Sequence, residues 1–450
     1  MIRSPGQLRE SVLAFLPRIR RFLRRVTAIC RSIQTAPGRE RLKLGVYTRI
    51  PHIVWNLANL YRTTLAKRVR IVAVVGSFGK TTTTRAVLAA LGFPDSRRRG
   101  WNWGIGLADA ILRIRPWDRH AVIEVAIGGK GEMEGFARLL RPDIAVATCI
   151  GSEHLSSLGT LEVTRAEKAK MISAVSSSGL VILNGDDSNV LWMKEFSIAQ
   201  VVAYGFGESN EVRATDVVDN ELSGVRFNLQ IDGAIHEVRT HLIGRHMIYP
   251  ILAAITVARF EGCRLDKAIA ALGELGATPN RLQAIQLPSG ALLLLDAYKS
   301  ALETIEVALE TLSRLPANRK ILVLGEVEEP PDSQGIVYRA LGELVASTAD
   351  HVIFVGGRRN LSPLRTGATA GGLPRDALMS TRTDPHAVVQ ALESIGLDAG
   401  DIVLIKGRST QHLERVALIL SGQTVTCAAR LCSRRHDCAT CPLLRSKASF

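Results

Sequence analysis

Six residues, Gly76-Ser77-Phe78-Gly79-Lys80-Thr81, follow the β-branched run Arg70-Ile-Val-Ala-Val-Val75 and precede Thr82-Thr83-Thr84 and a helical stretch. Glycines let backbone N–H groups turn toward a phosphate chain, and a helix N-terminus adds its positive end. Lys80 supplies a point charge and Thr81 a hydroxyl for magnesium, so the chemistry expected here is the handling of ATP with Mg2+. Val74 stands where the longer phosphate-binding pattern GxxxxGK[ST] has its first glycine; this chain carries the shorter GxxGKT form. Glu124 ends the run Ala121-Val-Ile-Glu-Val125, where a carboxylate beside the loop completes a magnesium shell.

A second group of chemically capable residues lies near the end of the chain: Cys427, Cys432, Cys438 and Cys441, with Pro442 after them. Four thiolates in a reducing compartment match a tetrahedral structural zinc, and Cys438-x-x-Cys441 has the spacing of a half-site. An iron-sulfur cluster also fits four thiolates, and both readings stay open.

The chain has 450 residues, 46% of them hydrophobic and 22% charged, enough for several domains and inconsistent with wholesale disorder. Its net charge of +15 is concentrated: residues 1–70 hold sixteen basic and two acidic residues, a balance of +14. Leu8, Val12, Phe15, Leu16, Ile19, Phe22, Leu23 and Val26 recur at helical spacing with arginines opposite, and Trp55 and Tyr61 follow. A basic amphipathic segment of this kind suits an anionic membrane surface or a partner enzyme. No nucleic-acid-binding motif accompanies the charge. The best apolar window, Met247 to Ala258, is too short to span a bilayer, and Arg18, Arg20, Arg21, Arg24 and Arg25 occupy the place of a secretory signal's apolar stretch. The expected location is cytoplasmic, peripheral on the inner membrane face.

The elements that must position the loop alternate in type. Apolar strand-like runs at 70–76, 121–125, 144–148, 180–183 and 201–204 are separated by helical stretches, which means an α/β sheet. A second series runs through 291–296, 320–325, 351–356 and 401–406, and residues 244–276 read as two helices. The expected organisation is a basic helical segment over 1–68, a central ATP-binding α/β domain over 69–281, a Rossmann-like α/β domain over 282–424 and a Cys-rich tail over 425–450.

The GxxGKT loop with its threonine run resembles the Mur ligase superfamily of ATP-dependent amide-bond-forming enzymes, most of all its D-alanyl-D-alanine-adding branch. The likeness continues in order through Arg141-Pro-Asp to Gly151-Ser-Glu-His154, Ile182-Leu-Asn-Gly-Asp-Asp187, Gly244-Arg-His246, Arg281-Leu282, Leu324-Gly-Glu326 and Val403-Leu-Ile-Lys-Gly-Arg408. The resemblance implies a carboxylate and an amine as substrates and an acyl-phosphate intermediate. It implies His154 as a second magnesium ligand and Lys168 as a carbamylated, metal-binding lysine, with Lys170 two residues away as the competing register. It further implies His246 for the nucleotide base, Asp296 for its ribose, Arg281 and Lys406 for phosphates, and Asn102, Tyr298, Lys299 and Arg408 around the substrates.

This chain departs from the family pattern in three places. Met247 and Pro250 replace the two asparagines that follow the histidine of Gly-x-His, and Trp103 replaces a second asparagine after Asn102. The family's Asp-x-Tyr-Asn-x-Asn-Pro reads Asp296-Ala-Tyr298-Lys299-Ser300-Ala301-Leu302, which predicts a changed acceptor site. Residues 1–68 are too short for the domain that holds the UDP end of muramyl precursors, which points to a lipid-linked or polymeric substrate. The expected function is therefore an ATP-dependent carboxylate-amine ligase. The alternatives are a non-catalytic nucleotide-binding scaffold of cell-envelope enzymes, an amidating ligase, or a poly-amino-acid synthetase.

Overall fold

The β-branched apolar runs form strands because both faces can be covered by helices, the condition for a buried parallel sheet. In the computed structural model, which describes residues 45, 47–95, 102–153, 155–427, 429–432 and 437–445, two such sheets are present. The first contains β1 (Arg70–Val75), β2 (His120–Glu124), β3 (Ile144–Ala147), β4 (Leu180–Asn184), β5 (Gln200–Gly205), β6 (Val212–Val218), β7 (Arg226–Ile231) and β8 (Ala234–Arg239). Their order is β2-β1-β3-β4-β5-β6-β7-β8. Pairing is parallel from β2 to β6 and antiparallel from β6 to β8. The apolar helix Ile248–Phe260 is buried in the core on one face. Helices Ile105–Leu112 and Glu132–Leu140 belong to the core on the other.

The second sheet contains β9 (Gln283–Gln286), β10 (Leu292–Asp296), β11 (Lys320–Leu324), β12 (His351–Val355), β13 (Leu378–Thr381) and β14 (Ile402–Lys406), ordered β13-β12-β11-β14-β10-β9. All its pairings are parallel except β9 with β10. The expected α/β class with two tandem sheets is what the chain adopts. The antiparallel strands were not anticipated, although β7 alternates Phe227, Leu229 and Ile231 inward with polar neighbours, as a half-buried strand does.

In the first sheet β1 lies between two later strands, β2 and β3, in the second β14 lies between two earlier ones, β11 and β10, and ligand crevices form beyond the carboxyl ends of parallel strands at such reversals of chain order. In the first sheet this point is the end of β1 beside β3; in the second it is the ends of β10 and β14, whose final residues Asp296 and Lys406 are register partners.

The amphipathic helix expected over Leu8 to Val26 lies outside the described residues. Helix Pro51–Thr63 packs on the body: Val54, Ala58 and Arg62 are buried, and Trp55 meets Phe136 with ring centroids 6.0 Å apart. Arg62 donates to the carbonyls of Leu140, Ala66 and Arg141, which satisfies its buried guanidinium, and Asp143 pairs with it at 3.8 Å. The opposite face leaves Ile53, Leu57 and Leu60 exposed, at the i, i+4, i+7 spacing of one helix stripe.

Candidate active site

The glycine loop is shaped by its contact with the segment after β3. Gly76 has φ +144°, and a Cβ there would lie 1.9 Å from Thr148 Oγ1, so no side chain fits. Ser77 N–H donates to the Cys149 carbonyl at 2.7 Å, and Thr148 Oγ1 donates to the Phe78 carbonyl at 2.6 Å. Gly79, left-handed at φ 78°, starts helix Lys80–Ala90 with no side chain capping its first N–H groups. Those donors are the ones a phosphate accepts from. Asn184 and Asp187 hold the Thr148–Glu153 segment from the side, donating to the Thr148 carbonyl and accepting from Ile150 N–H respectively.

Three lysines meet at this loop. Lys80 Nζ lies 2.8 Å from the Gly76 carbonyl, 2.6 Å from that of Ser77 and 2.9 Å from Glu153 Oε2. Lys299, from the segment after β10, reaches the other Glu153 oxygen at 2.8 Å, and Lys168 Nζ lies 3.1 Å from Ser77 Oγ. Burial would raise the Glu153 carboxyl, but Lys80, Lys299 and Lys168 outweigh it and hold it well below the usual carboxylate range. Burial, reinforced by the nearby Lys80 charge, pushes the Lys168 ammonium down to about 7. Burial opposes the charge of Lys299 too, yet Glu153 and Glu328 raise it above an ordinary lysine. Lys170 instead pairs with Glu167 at 2.6 Å, so of the two competing registers it is Lys168 that faces the loop.

On the other side of the loop, Thr81 Oγ1 donates to Glu124 Oε2 at 2.9 Å and Asn102 Nδ2 to Glu124 Oε1 at 2.6 Å. A hydroxyl and a carboxylate side by side form the oxygen donor set that a hard cation such as magnesium takes. Thr82 Oγ1 faces Thr278 Oγ1 at 3.1 Å. His154 lies outside the described residues.

The second sheet brings its residues to the same cleft. Lys406 Nζ, buried at the end of β14, donates to Asp296 Oδ2 and to the Lys299 carbonyl, both at 2.8 Å. Burial lowers Lys406 although Asp296 opposes it. The Arg281 guanidinium lies 4.6 Å over the Tyr298 ring, and Arg408 pairs with Glu326 at 2.7 Å. His246, pushed down to about 4 by burial, is neutral at physiological pH, and its buried Nδ1 has no hydrogen-bond partner. It lines a cavity of about 310 Å³ with Phe206, Gly244, Arg245, Tyr249 and Thr311. Two aromatic rings and an unpartnered ring nitrogen suit a flat heteroaromatic base.

Sequence reasoning missed Glu153, although it stands in the quoted Gly151-Ser-Glu-His154, and it missed Glu303, whose carboxylate accepts from Ser152 N–H and Ser152 Oγ, each at 2.7 Å. Both are inter-sheet contacts with no local signal. The expectation that Cys427, Cys432, Cys438 and Cys441 converge on one metal is not met. Cys427 Sγ lies 3.8 Å from Arg415 Nη1, and Cys432 contributes main-chain groups, its N–H donating to the Thr410 carbonyl. Among the described residues, the group of three or more potential metal-ligating side chains is His412, Glu414 and Cys438.

Two family models match the chain, the Mur ligase middle domain over residues 74–258 and the Mur ligase glutamate ligase domain over residues 280–409. The chain is 30% identical over 368 residues to the UDP-N-acetylmuramoyl-tripeptide–D-alanyl-D-alanine ligase of Mycobacterium tuberculosis, covering 77% of this chain and 72% of that one. The enzyme of the same name from Bacillus subtilis is 28% identical over 351 residues, covering 77% and 75%. In fold the chain is similar to MurF from Acinetobacter baumannii, with TM-score 0.72, 23% identity and coverage of 82% and 80%. It is also similar to MurF from Thermotoga maritima in complex with ADP, with TM-score 0.70, 21% identity and 83% of each chain.

Proposed function

The chain belongs to the Mur ligase family, and from that premise we propose the chemistry its residues carry out. It is an ATP-dependent ligase that forms an amide bond on a cell-envelope substrate. The observation that carries the residue roles is the meeting of Lys80, Lys168 and Lys299 around Glu153 at the mouth of the glycine loop. A substrate carboxylate oxygen attacks the terminal phosphorus of ATP, the bond to ADP breaks, and an acyl phosphate results. The amine nitrogen then attacks the acyl carbon, phosphate leaves, and the nitrogen gives up a proton. Negative charge grows on the phosphoryl oxygens and then on the acyl oxygen, so fixed cations at the loop lower both barriers.

Lys80 holds the phosphates at the first sheet, and Lys299 and Lys406 approach from the second. Asp296 takes the ribose, Arg281 the phosphates, and His246 with Tyr249 the base. Magnesium, when bound, neutralises phosphate charge, and Thr81 and Glu124 are the described residues that would hold it, with His154 the further candidate. The neutral Lys168 amine would add to CO2 and release a proton to solvent, giving a carbamate anion that would serve as an oxygen ligand for magnesium.

Lys299 and Ala301 replace two amides of the family pattern, which favours an amine other than D-alanyl-D-alanine. The test is ADP release with UDP-N-acetylmuramoyl-tripeptide or a lipid-linked analogue as the carboxylate, against D-alanyl-D-alanine, single amino acids, dipeptides and ammonia. One pairing is expected to raise ADP release well above background. If no pairing does, the scaffold reading replaces the ligase.

Anionic membranes are the proposed partner of the basic segment and of helix Pro51–Thr63. Exposed Ile53, Leu57, Leu60 and Leu65 belong to the same 70-residue stretch of sequence that carries the balance of +14. Among the described residues no helix is long and apolar enough to cross a membrane. Leu57→Glu with Leu60→Glu should weaken binding to phosphatidylglycerol vesicles by roughly tenfold or more, since each buried leucine is worth ~1.5–3 kcal/mol. Equal binding of the double variant in a vesicle co-sedimentation assay would rule this surface out.

A further inference from the structure

We propose that His412, Glu414 and Cys438 form a zinc-class metal site that fastens the cysteine-rich tail to the loop following β14. The inference is independent of the ligase reading. His412 Nε2 lies 3.0 Å from the Cys432 carbonyl oxygen, so this nitrogen carries the hydrogen. In the neutral ring Nδ1 is then a lone pair, and it faces Glu414 Oε1 at 2.7 Å and Cys438 Sγ at 3.3 Å. The three donor atoms lie within 4.8 Å of one another and all three residues are buried. A nitrogen lone pair, a carboxylate and a sulfur at these distances need protons or a metal ion among them.

Without a metal, Glu414 takes hydrogen bonds from a proton on Nδ1 and from the Cys438 thiol. A metal ion uses all three donors. The mixed nitrogen, oxygen and sulfur set excludes magnesium and calcium, which take oxygen ligands, and matches zinc. Zinc bonds of about 2.0–2.3 Å place tetrahedral donors roughly 3.3–3.8 Å apart, so the site opens by less than an ångström to admit the ion. The Nε2–H bond to a main-chain carbonyl is the outer contact that fixes the tautomer and aims a ligating histidine. Water supplies the fourth position, as in a zinc site with three protein ligands.

The surroundings are built around this point. Arg415, 2% exposed, donates Nε to the His412 carbonyl at 3.1 Å and Nη1 to the Cys427 carbonyl at 3.0 Å, bridging loop and tail from beneath. The loop that the metal holds also carries Arg408 and Gln411. Gln411 Oε1 accepts from Glu326 N–H at 3.1 Å and its Nε2 donates to the Val355 carbonyl at 2.9 Å. The site therefore acts structurally, setting the position of the loop that bears Arg408.

The full chain is loaded with Zn2+, dialysed exhaustively, and its metal content measured by mass spectrometry. One equivalent per chain is expected. His412→Gln and Cys438→Ser should each retain it at least about 100-fold more weakly, whereas Cys427→Ser should retain it fully. Loading with Co2+ should give a thiolate-to-metal charge-transfer band that Cys438→Ser abolishes, which reads the ligand directly even where a variant is less stable. Zinc-free wild-type protein, or zinc retained by both His412→Gln and Cys438→Ser, overturns the proposal. So does loss in Cys427→Ser with retention in His412→Gln, which restores a four-thiolate site.

Discussion

Lys80→Ala is expected to slow ADP release by about 10²–10³-fold while leaving the fold intact. The ammonium is held by two main-chain carbonyls of the glycine loop and by Glu153, so it cannot drift from the position where phosphoryl charge develops. Its loss is felt more in kcat than in KM, because charge at that point is greatest in the transition state. Glu153 keeps Lys299 at 2.8 Å, so no buried carboxylate is left without a partner. Steady-state ADP release, with the thermal melt as control, checks the expectation. Unchanged turnover in a folded variant would mean that the glycine loop does not carry the nucleotide chemistry.

Lys168→Arg is expected to be as inactive as Lys168→Ala, each losing about 10² or more in kcat. Arginine keeps the charge but cannot form a carbamate, so the pair of variants separates a fixed cation from a carbamylated anion. The position favours the anion. Lys168 is buried, donates to Ser77 Oγ at 3.1 Å and faces the like charge of Lys80, and these surroundings push its ammonium down to about 7. A free amine at neutral pH can attack CO2, whereas an ammonium cannot. Activity of Lys168→Arg close to wild type would remove the carbamate and leave Lys168 as one of three cations on Glu153. Intact-mass measurement after trapping the carbamate by alkylation gives a second readout.

Much of the cleft could be read from local pattern. The Gly76–Thr81 loop, Glu124 at its strand end, and Asp296 and Lys406 at the ends of two apolar runs all sit where strand ends and glycines put them. Such positions follow from alternation of element types, because parallel strands deliver their carboxyl ends to one edge. The antiparallel strands β6 to β8 were less legible, since short strands at half-buried positions carry a weak period-two signal. Glu153, Glu303 and the partnership of Lys299 with the glycine loop were not legible at all. Each joins residues over a hundred positions apart or lies in a segment with no periodicity.

The tail shows the same division. Its four cysteines invite a four-thiolate site, because spacing is all that a sequence offers. The fold instead places His412 and Glu414, which precede the tail and carry no metal-binding spacing with it, against Cys438. The amino-acid sequence by itself determined the α/β class, the glycine loop between strand and helix, and the family, since these rest on local propensity and on motifs in order. Only the tertiary structure decided which charges share a cleft and which donors share an ion. Those are matters of distance between elements, and distance between elements is set by packing rather than by spacing along the chain.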